Sequence, residues 1–277
     1  MGEQRAAAGG DAAGRDAKEA AARVGVVVRE LHAIGDFQQV YRLFDDIWHF
    51  SPGDPPVTLE LMITFAHAGG YVAAAYQDDV MLGASVGFRA AERTLHSHVT
   101  GARAGRGIGY ALKLHQRAWC REHGLDRISW TFDPLVRRNA RFNLAKLGAR
   151  PESYVESFYG TMTDAINQGD ESDRLVTVWD LTGPPADTPP PPYTVGLDVE
   201  DERPVRGRTD GPVVLVATPH DIETLRRRDP GAAKAWRLAV RDVLGGLMRE
   251  GGRVVGFTDA GAYVVATRGA GGSALGA

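Results

Sequence analysis

Between residues 24 and 182, β-branched runs alternate with stretches of helical period. Residues 24–30 hold three consecutive valines and predict a strand. Phe37, Val40, Phe44, Ile47 and Trp48 recur at three- and four-residue steps, which predicts a helix capped by Asp36. A second helix follows Pro55-Pro56, with Leu59, Met62, Ile63 and Ala66 on one face, and stops at Gly69-Gly70. Runs 71–76 and 80–88, joined by Asp78-Asp79, read as a hairpin. A strand at 94–100 leads through a glycine-rich turn into a helix carrying Ile108, Ala111, Leu112 and Trp119, which ends at Gly124. A strand at 127–133, a helix at 136–147 closed by Gly148, and a strand at 173–181 complete this body. Antiparallel hairpins come first and one strand–helix–strand crossover follows, so a mixed α/β (α+β) fold is expected.

Two other stretches punctuate the chain. Residues 1–23 carry alanine, glycine and charge but no large apolar side chain beyond the first methionine, which predicts a disordered leader. Residues 183–192 are so dense in proline that neither helix nor sheet interior can form, which predicts a stiff linker. The body is therefore expected at 24–182 and an extension at 193–268. The extension opens with a strand at 213–217 and has helix starts at Thr218-Pro219 and Asp229-Pro230. Its main helix carries Trp236, Val240, Val243, Leu244 and Leu247, and strands at 254–257 and 263–266 close it. Residues 269–277 are glycine, alanine, serine and one leucine, an expected frayed tail.

The formal charge of −3 gives no field that would draw the chain to nucleic acid or an anionic membrane. No apolar run approaches a bilayer span and the start lacks a signal-peptide core, so a cytoplasmic protein is the expectation. The single cysteine, Cys120, excludes an intramolecular disulfide and any cysteine-rich zinc site, and its mid-helix position reads as core.

The sharpest local feature is Arg103-Ala104-Gly105-Arg106-Gly107-Ile108-Gly109 between a strand and a helix. Glycines there let successive N–H groups point at one spot, and the helix start adds about half a positive charge. A phosphate or pyrophosphate is the expected ligand. No Gly-Lys-[Ser/Thr] follows, and Tyr110 and Ala111 cannot ligate Mg²⁺, so this is not a P-loop. The spacing is G-x-G-x-G instead of the dinucleotide G-x-G-x-x-G, and the preceding strand carries His96, Ser97 and His98 instead of an apolar run. A dinucleotide site and an unliganded turn remain as alternatives.

Three segments carry a more specific signal: His96-Ser97-His98 with the glycine turn, Trp130-Thr131-Phe132-Asp133-Pro134, and the run from Asn139 to Gly148. Together they resemble the signature motifs of the GNAT acyltransferase superfamily, over residues 24–182. The chain looks closest to a branch of predicted acyltransferases with a C-terminal extension bearing a Trp-Arg helix, here Trp236-Arg237. The resemblance implies a GNAT acyl-CoA N-acyltransferase fold, a mostly antiparallel twisted sheet with helices on both faces. It implies acetyl-CoA or another acyl-CoA, such as succinyl-CoA, as co-substrate. Backbone N–H groups of Gly105, Arg106, Gly107, Ile108, Gly109 and Tyr110 would then cradle the pyrophosphate. The strand around Val99, Thr100 and Ala102 would splay from the strand at 127–133 to admit the pantetheine arm. Asn139 would touch the arm or cap its helix. The chain departs from the pattern twice. The stretch before the glycine turn is about three residues short, with Ala104 where the superfamily has arginine. Leu144 stands where many members place a tyrosine acid.

Direct transfer needs a base for the incoming amine and a proton for the thiolate. His96 and His98 share one face of their strand, and their ordinary pKa suits neutral pH. Asp133, at a strand end, is a candidate substrate anchor or base, with helix capping as the alternative. Tyr154 and Tyr159 are candidate acids. A His-x-His metal site would lack ligands beyond Asp133, so no metal is expected. Trp48, His49 and Phe50 look like the rim of a pocket for a small-molecule amine. The extension either covers the site or makes a homodimer contact, and Arg226-Arg227-Arg228 reads as a solvated face. A CoA-binding sensor or scaffold without activity is the alternative function.

Overall fold

A computed structural model describes residues 2–50, 53–103, 106–160, 171–183 and 192–268, with side chains from residue 12 onward. The chain divides into two compact units, Met1–Trp130 with Asp180–Thr182 and Thr131–Trp179 with Gly183–Ala277. The change of unit falls inside a strand, not at the proline-rich stretch where the sequence predicts it. Residues 184–191 and the tail 269–277 lie outside the described residues.

Unit one is built on strands β1 (Val27–Glu30), β2 (Tyr71–Gln77), β3 (Val80–Ala90), β4 (Thr94–Ala102) and β5 (Arg127–Phe132), side by side in that order. All neighbours are antiparallel except β4 and β5, which are parallel. The helices are α1 (Gly2–Arg23), α2 (Ile34–Trp48), α3 (Leu59–His67) and α4 (Ile108–Glu122). Alternation along β3 separates two faces. Ala84 and Val86 join Phe37, Val40 and Phe44 of α2 and Met62 of α3 in one core. Gly83 turns the other way: a Cβ there would stand 2.9 Å from Ile108 of α4, so only glycine lets α4 lie this close.

Two expectations need correction. Asp36 is not the cap of α2, because the helix starts at Ile34 behind an extended Ala33, and Asp36 sits in its first turn. Nor is the leader disordered. Ala13, Ala17, Ala20 and Ala21 of α1 are buried at helical spacing, and Asp16 bonds Arg117 of α4 at 2.5 Å. Composition misleads here, since a stripe of small side chains lets two helix backbones approach and bury area without any large residue.

Unit two holds an antiparallel pair, β6 (Arg150–Val155) with β7 (Arg174–Asp180), and a five-stranded sheet. That sheet runs β11 (Arg253–Phe257), β12 (Ala262–Ala266), β10 (Val213–Ala217), β8 (Thr194–Glu200), β9 (Arg203–Arg206). Helix α5 (Arg137–Ala140) continues as a π-helical turn, and α6 (Ile222–Arg228) precedes α7 (Pro230–Val240), which runs through a second π turn into α8 (Gly246–Arg249). Asp221 caps α6 and Asp229 caps α7, where Pro230 opens the helix as expected. Sequence patterning had not foreseen β6, β8 or β9.

The interior of unit two is charged. Asp133 accepts two N–H bonds from Arg237, both at 2.9 Å, and one from Arg226 at 2.7 Å. Arg226 and Arg237 are 3% and 1% exposed. Arg226 is thus no part of a solvated face. Trp236 is fully buried, its indole N–H donating to the Glu202 carbonyl at 2.8 Å, so neither it nor Arg237 is free for a surface contact.

Candidate active site

β4 and β5 share only three rungs, Thr94 with Arg127, Leu95 with Ile128 and His96 with Ser129. β4 then runs six residues further, to Ala102, with no further rung to β5 among the described residues. On its other side β4 stays paired with β3, but the register slips between Val86 and Gly87, leaving His98 as an extra bulged residue. Beyond the bulge the direction of each backbone amide follows by alternation. The N–H of Arg103 bonds the Leu82 carbonyl, so Gly101 and Val99 also face β3. Thr100 and Ala102 therefore turn their N–H groups to the side where pairing with β5 has ended. Val99 does not join them: its amide faces β3 and its side chain packs on the core of unit one.

Just past this open edge α4 begins. Gly107 caps it in a left-handed conformation, φ +74°, with no side-chain cap. A helix makes no internal use of its first N–H groups, so those of Ile108 and Gly109 remain for a ligand. Arg106 is exposed and donates to the Gln77 side chain at 2.9 Å, and Tyr110 lies in the first turn. Gly105 lies outside the described residues.

On the face of β4 opposite α4, both histidines meet one ring, Phe88, at centroid distances of 5.1 Å (His96) and 6.2 Å (His98), and Phe65 stacks beside Phe88 at 5.0 Å. His96 Nδ1 lies 3.1 Å from Ser129 Oγ, at the last rung before the strands part. Burial lowers the His96 pKa, helped by the charges of His98 and Lys113, so the ring is neutral and basic at neutral pH. His98 Nε2 donates to the Pro56 carbonyl at 2.9 Å, which leaves Nδ1 bare in the neutral ring.

The α4 face holds a feature that sequence reasoning missed. Lys113, only 5% exposed, donates to Ser97 Oγ at 2.8 Å and to Gln116 Oε1 at 3.2 Å, with its ammonium 4.1 Å from the Trp130 ring centre. Gln116 donates onward to Ser85 Oγ at 3.2 Å, and Ser85 lies 2.8 Å from Thr100 Oγ1. Burial brings the Lys113 pKa down to about 7. In the sequence, a lysine and a glutamine three apart on a helix read as solvent-facing. Cys120, further along α4, is buried and its thiol pushed up to about 12 by that burial, as a core residue should be.

Other sequence candidates are placed differently. Trp48 is half-buried against Phe44, and a Cβ on Gly101 would stand 2.6 Å from its ring; Phe50 packs edge-on to Tyr41. His49 is the exposed C-cap of α2. The ring cluster beside the histidines is Phe65 with Phe88. In unit two, Asp133 is no free base: burial raises its pKa, but Arg237 and Arg226 more than reverse this and hold it well below the carboxylate range. It also accepts the Leu135 N–H at 2.9 Å in a local turn, but it does not cap the next helix, which starts at Arg137 behind Val136 with no side-chain cap. Asn139 sits half-buried in α5. Tyr154 donates to Asp173 at 2.6 Å, and burial plus that carboxylate raise its pKa, so it is a poor acid. Leu144 is buried. Among the described residues no group of three His, Cys, Asp or Glu side chains could hold a metal, and no helix is long and apolar enough to cross a membrane.

No family model matches the chain. No curated protein matches it either. Solved structures do. Many of its structural neighbours are GNAT-family acetyltransferases. An acetyltransferase of the GNAT family from Streptococcus pneumoniae is similar over 55% of this chain and 97% of its own, at 15% identity and a TM-score of 0.43. The ribosomal-protein-S18-alanine N-acetyltransferase of Escherichia coli is similar over 57% and 96%, at 12% and 0.46. A Salmonella typhimurium protein solved with its cofactor acetyl-CoA is similar over 57% and 94%, at 14% and 0.46. At such scores the likenesses carry no argument about the site, which rests on its own geometry.

Proposed function

We propose that this protein is a cytoplasmic acyl-CoA-dependent N-acyltransferase that acylates a small-molecule amine by direct attack on the thioester. The supporting observation is the unpaired edge of β4: two backbone N–H groups, Thr100 and Ala102, face the side that β5 has left, a few residues before the bare N-terminus of α4. In this reading Gly107, Ile108 and Gly109 hold the pyrophosphate, with Gly105 and Arg106 beside them. The open β4 amides hydrogen-bond the pantetheine arm and so carry the thioester further along β4, toward the two histidines. His96 accepts the proton of the attacking amine, with His98 as second acceptor, and the thiolate leaves with CoA. Acetyl-CoA is the first donor to try and succinyl-CoA the second. Calorimetric titration with CoA and acetyl-CoA tests binding, and release of free thiol across a panel of amines tests turnover. Absence of binding at near-millimolar ligand overturns the reading.

The buried Leu144 and the engaged phenol of Tyr154 favour a second reading, a CoA-binding sensor without transferase activity. It predicts CoA binding, no thiol release with any amine, and indifference to His96→Ala.

A further inference from the structure

A hydrogen-bonded chain of four side chains crosses the buried space between α4 and the sheet, and its direction follows from donors, acceptors and burial together. Lys113 can only donate when charged, and it takes the Gln116 carbonyl oxygen. That turns the Gln116 amide so that its NH₂ donates to Ser85 Oγ. Ser85 Oγ accepts from Gln116, and because Ser85 is fully buried with no other acceptor for its own proton among the described residues, the arrangement that leaves no buried proton unmet has it donating to Thr100 Oγ1, 2.8 Å away. Thr100 and Ser85 are opposite each other in a pair whose backbones do not bond one another, the arrangement that brings cross-strand side chains closest. Thr100 Oγ1 is then an acceptor toward Ser85, and its proton must point elsewhere. Among the described residues none accepts it.

We infer that the Thr100 hydroxyl is a hydrogen-bond donor to a carbonyl oxygen of the pantetheine arm, with Lys113, Gln116 and Ser85 as the positioning residues that aim it. The inference rests on the acyl-CoA reading above. Thr100 lies on the open edge of β4, between the bulge at His98 and the turn before α4. With the diphosphate at the start of α4, the portion of CoA that passes Thr100 is the arm and its two amides, not the thioester. Burying a lysine and a glutamine among apolar neighbours is costly unless the network does something an apolar pair cannot, and holding one hydroxyl proton outward is such a task. Nothing in a leucine pair at 113 and 116 could set that polarity.

The test is calorimetric affinity for CoA and for acetyl-CoA, with thermal unfolding alongside. Thr100→Val keeps the shape and removes the donor; it is expected to raise both Kd values about 3- to 10-fold, the range for one hydrogen bond, and to lower the unfolding midpoint because the buried Ser85 hydroxyl loses its acceptor. Thr100→Ser is expected to restore them. Ser85→Ala frees the Thr100 hydroxyl to rotate and should raise both Kd values less, and the double variant should be no weaker than Thr100→Val alone. If wild type binds CoA and Thr100→Val binds equally well, the inference falls and the acyl-CoA reading stands. An effect on acetyl-CoA but not CoA also overturns it, since the contact is then to the acyl carbonyl. If wild type binds neither ligand, the underlying function fails first.

Discussion

Replacing Asp133 by asparagine separates a structural carboxylate from a chemical one. Asp133 is held by three guanidinium N–H groups at 2.7 to 2.9 Å, from two arginines that water barely reaches. At an effective dielectric near 20, two unit charges about 4 Å apart attract by about 4 kcal/mol, so the two partners contribute about 8 kcal/mol before desolvation. Withdrawing the ions from water takes back several kcal/mol for each. Removing only the anion leaves both guanidiniums buried without their shared carboxylate, and the expected loss is about 3–5 kcal/mol. The pH dependence has a fixed sign. The carboxyl pKa is lowered on folding, so its stabilisation is complete above the unfolded value of about 3.9 and is lost as pH falls toward the folded value. The gap between wild type and Asp133→Asn should be full at pH 7 and narrow below about pH 4. Urea unfolding followed by far-ultraviolet circular dichroism at both pH values measures it. A variant within about 1 kcal/mol of wild type at pH 7 refutes the ion-pair argument, because a buried pair broken on one side cannot be that cheap.

Four other outcomes are expected. His96→Gln should lower kcat about 100-fold or more while leaving the CoA affinity intact, and the wild-type rate should persist below the ordinary histidine pKa because burial lowers that of His96. The stability of wild type should rise with pH between about 7 and 10, because unfolded Lys113 still binds a proton there that the folded chain has released; Lys113→Met should flatten that slope in urea titrations. Gly107→Ala forces a side chain into a left-handed cap and against Val24 at 3.1 Å, and should cost about 1 kcal/mol together with CoA affinity. Ala17→Leu, on the buried stripe of α1, should destabilise by about 1–3 kcal/mol through overpacking against α4, read as a lower thermal midpoint.

Much of unit one was legible because its signals are local. The hairpin of β2 and β3, the helices α3 and α4 and the turn at Gly107 are each set by residues within a few positions of one another, and the glycine turn with its histidine strand pointed to the same corner that the open β4 edge occupies. The misses share one cause, partners distant in sequence. Nothing near Asp133 announces that its arginines lie 93 and 104 residues later. The alanine stripe of α1 becomes a packing surface only when α4 is beside it. β8 alternates Val195, Leu197 and Val199, but its setting after the proline run hid that period.

Two buried charged positions separate on this ground. Asp133 carries its own counter-ions, so its geometry is closed: every strong contact is accounted for by folding, and its pKa has moved away from any useful range. Lys113 has hydroxyl, amide and ring partners, its pKa has moved toward neutrality, and the chain it starts ends on a hydroxyl whose proton has no acceptor among the described residues. A network complete at one end and open at the other cannot be explained by stability alone, because closing it with apolar residues removes the cost of burying polar groups at no loss of fold. The open end lies on the strand edge that β5 leaves unpaired. Polar burial that ends at an unpaired strand edge is what a ligand site requires before the ligand arrives.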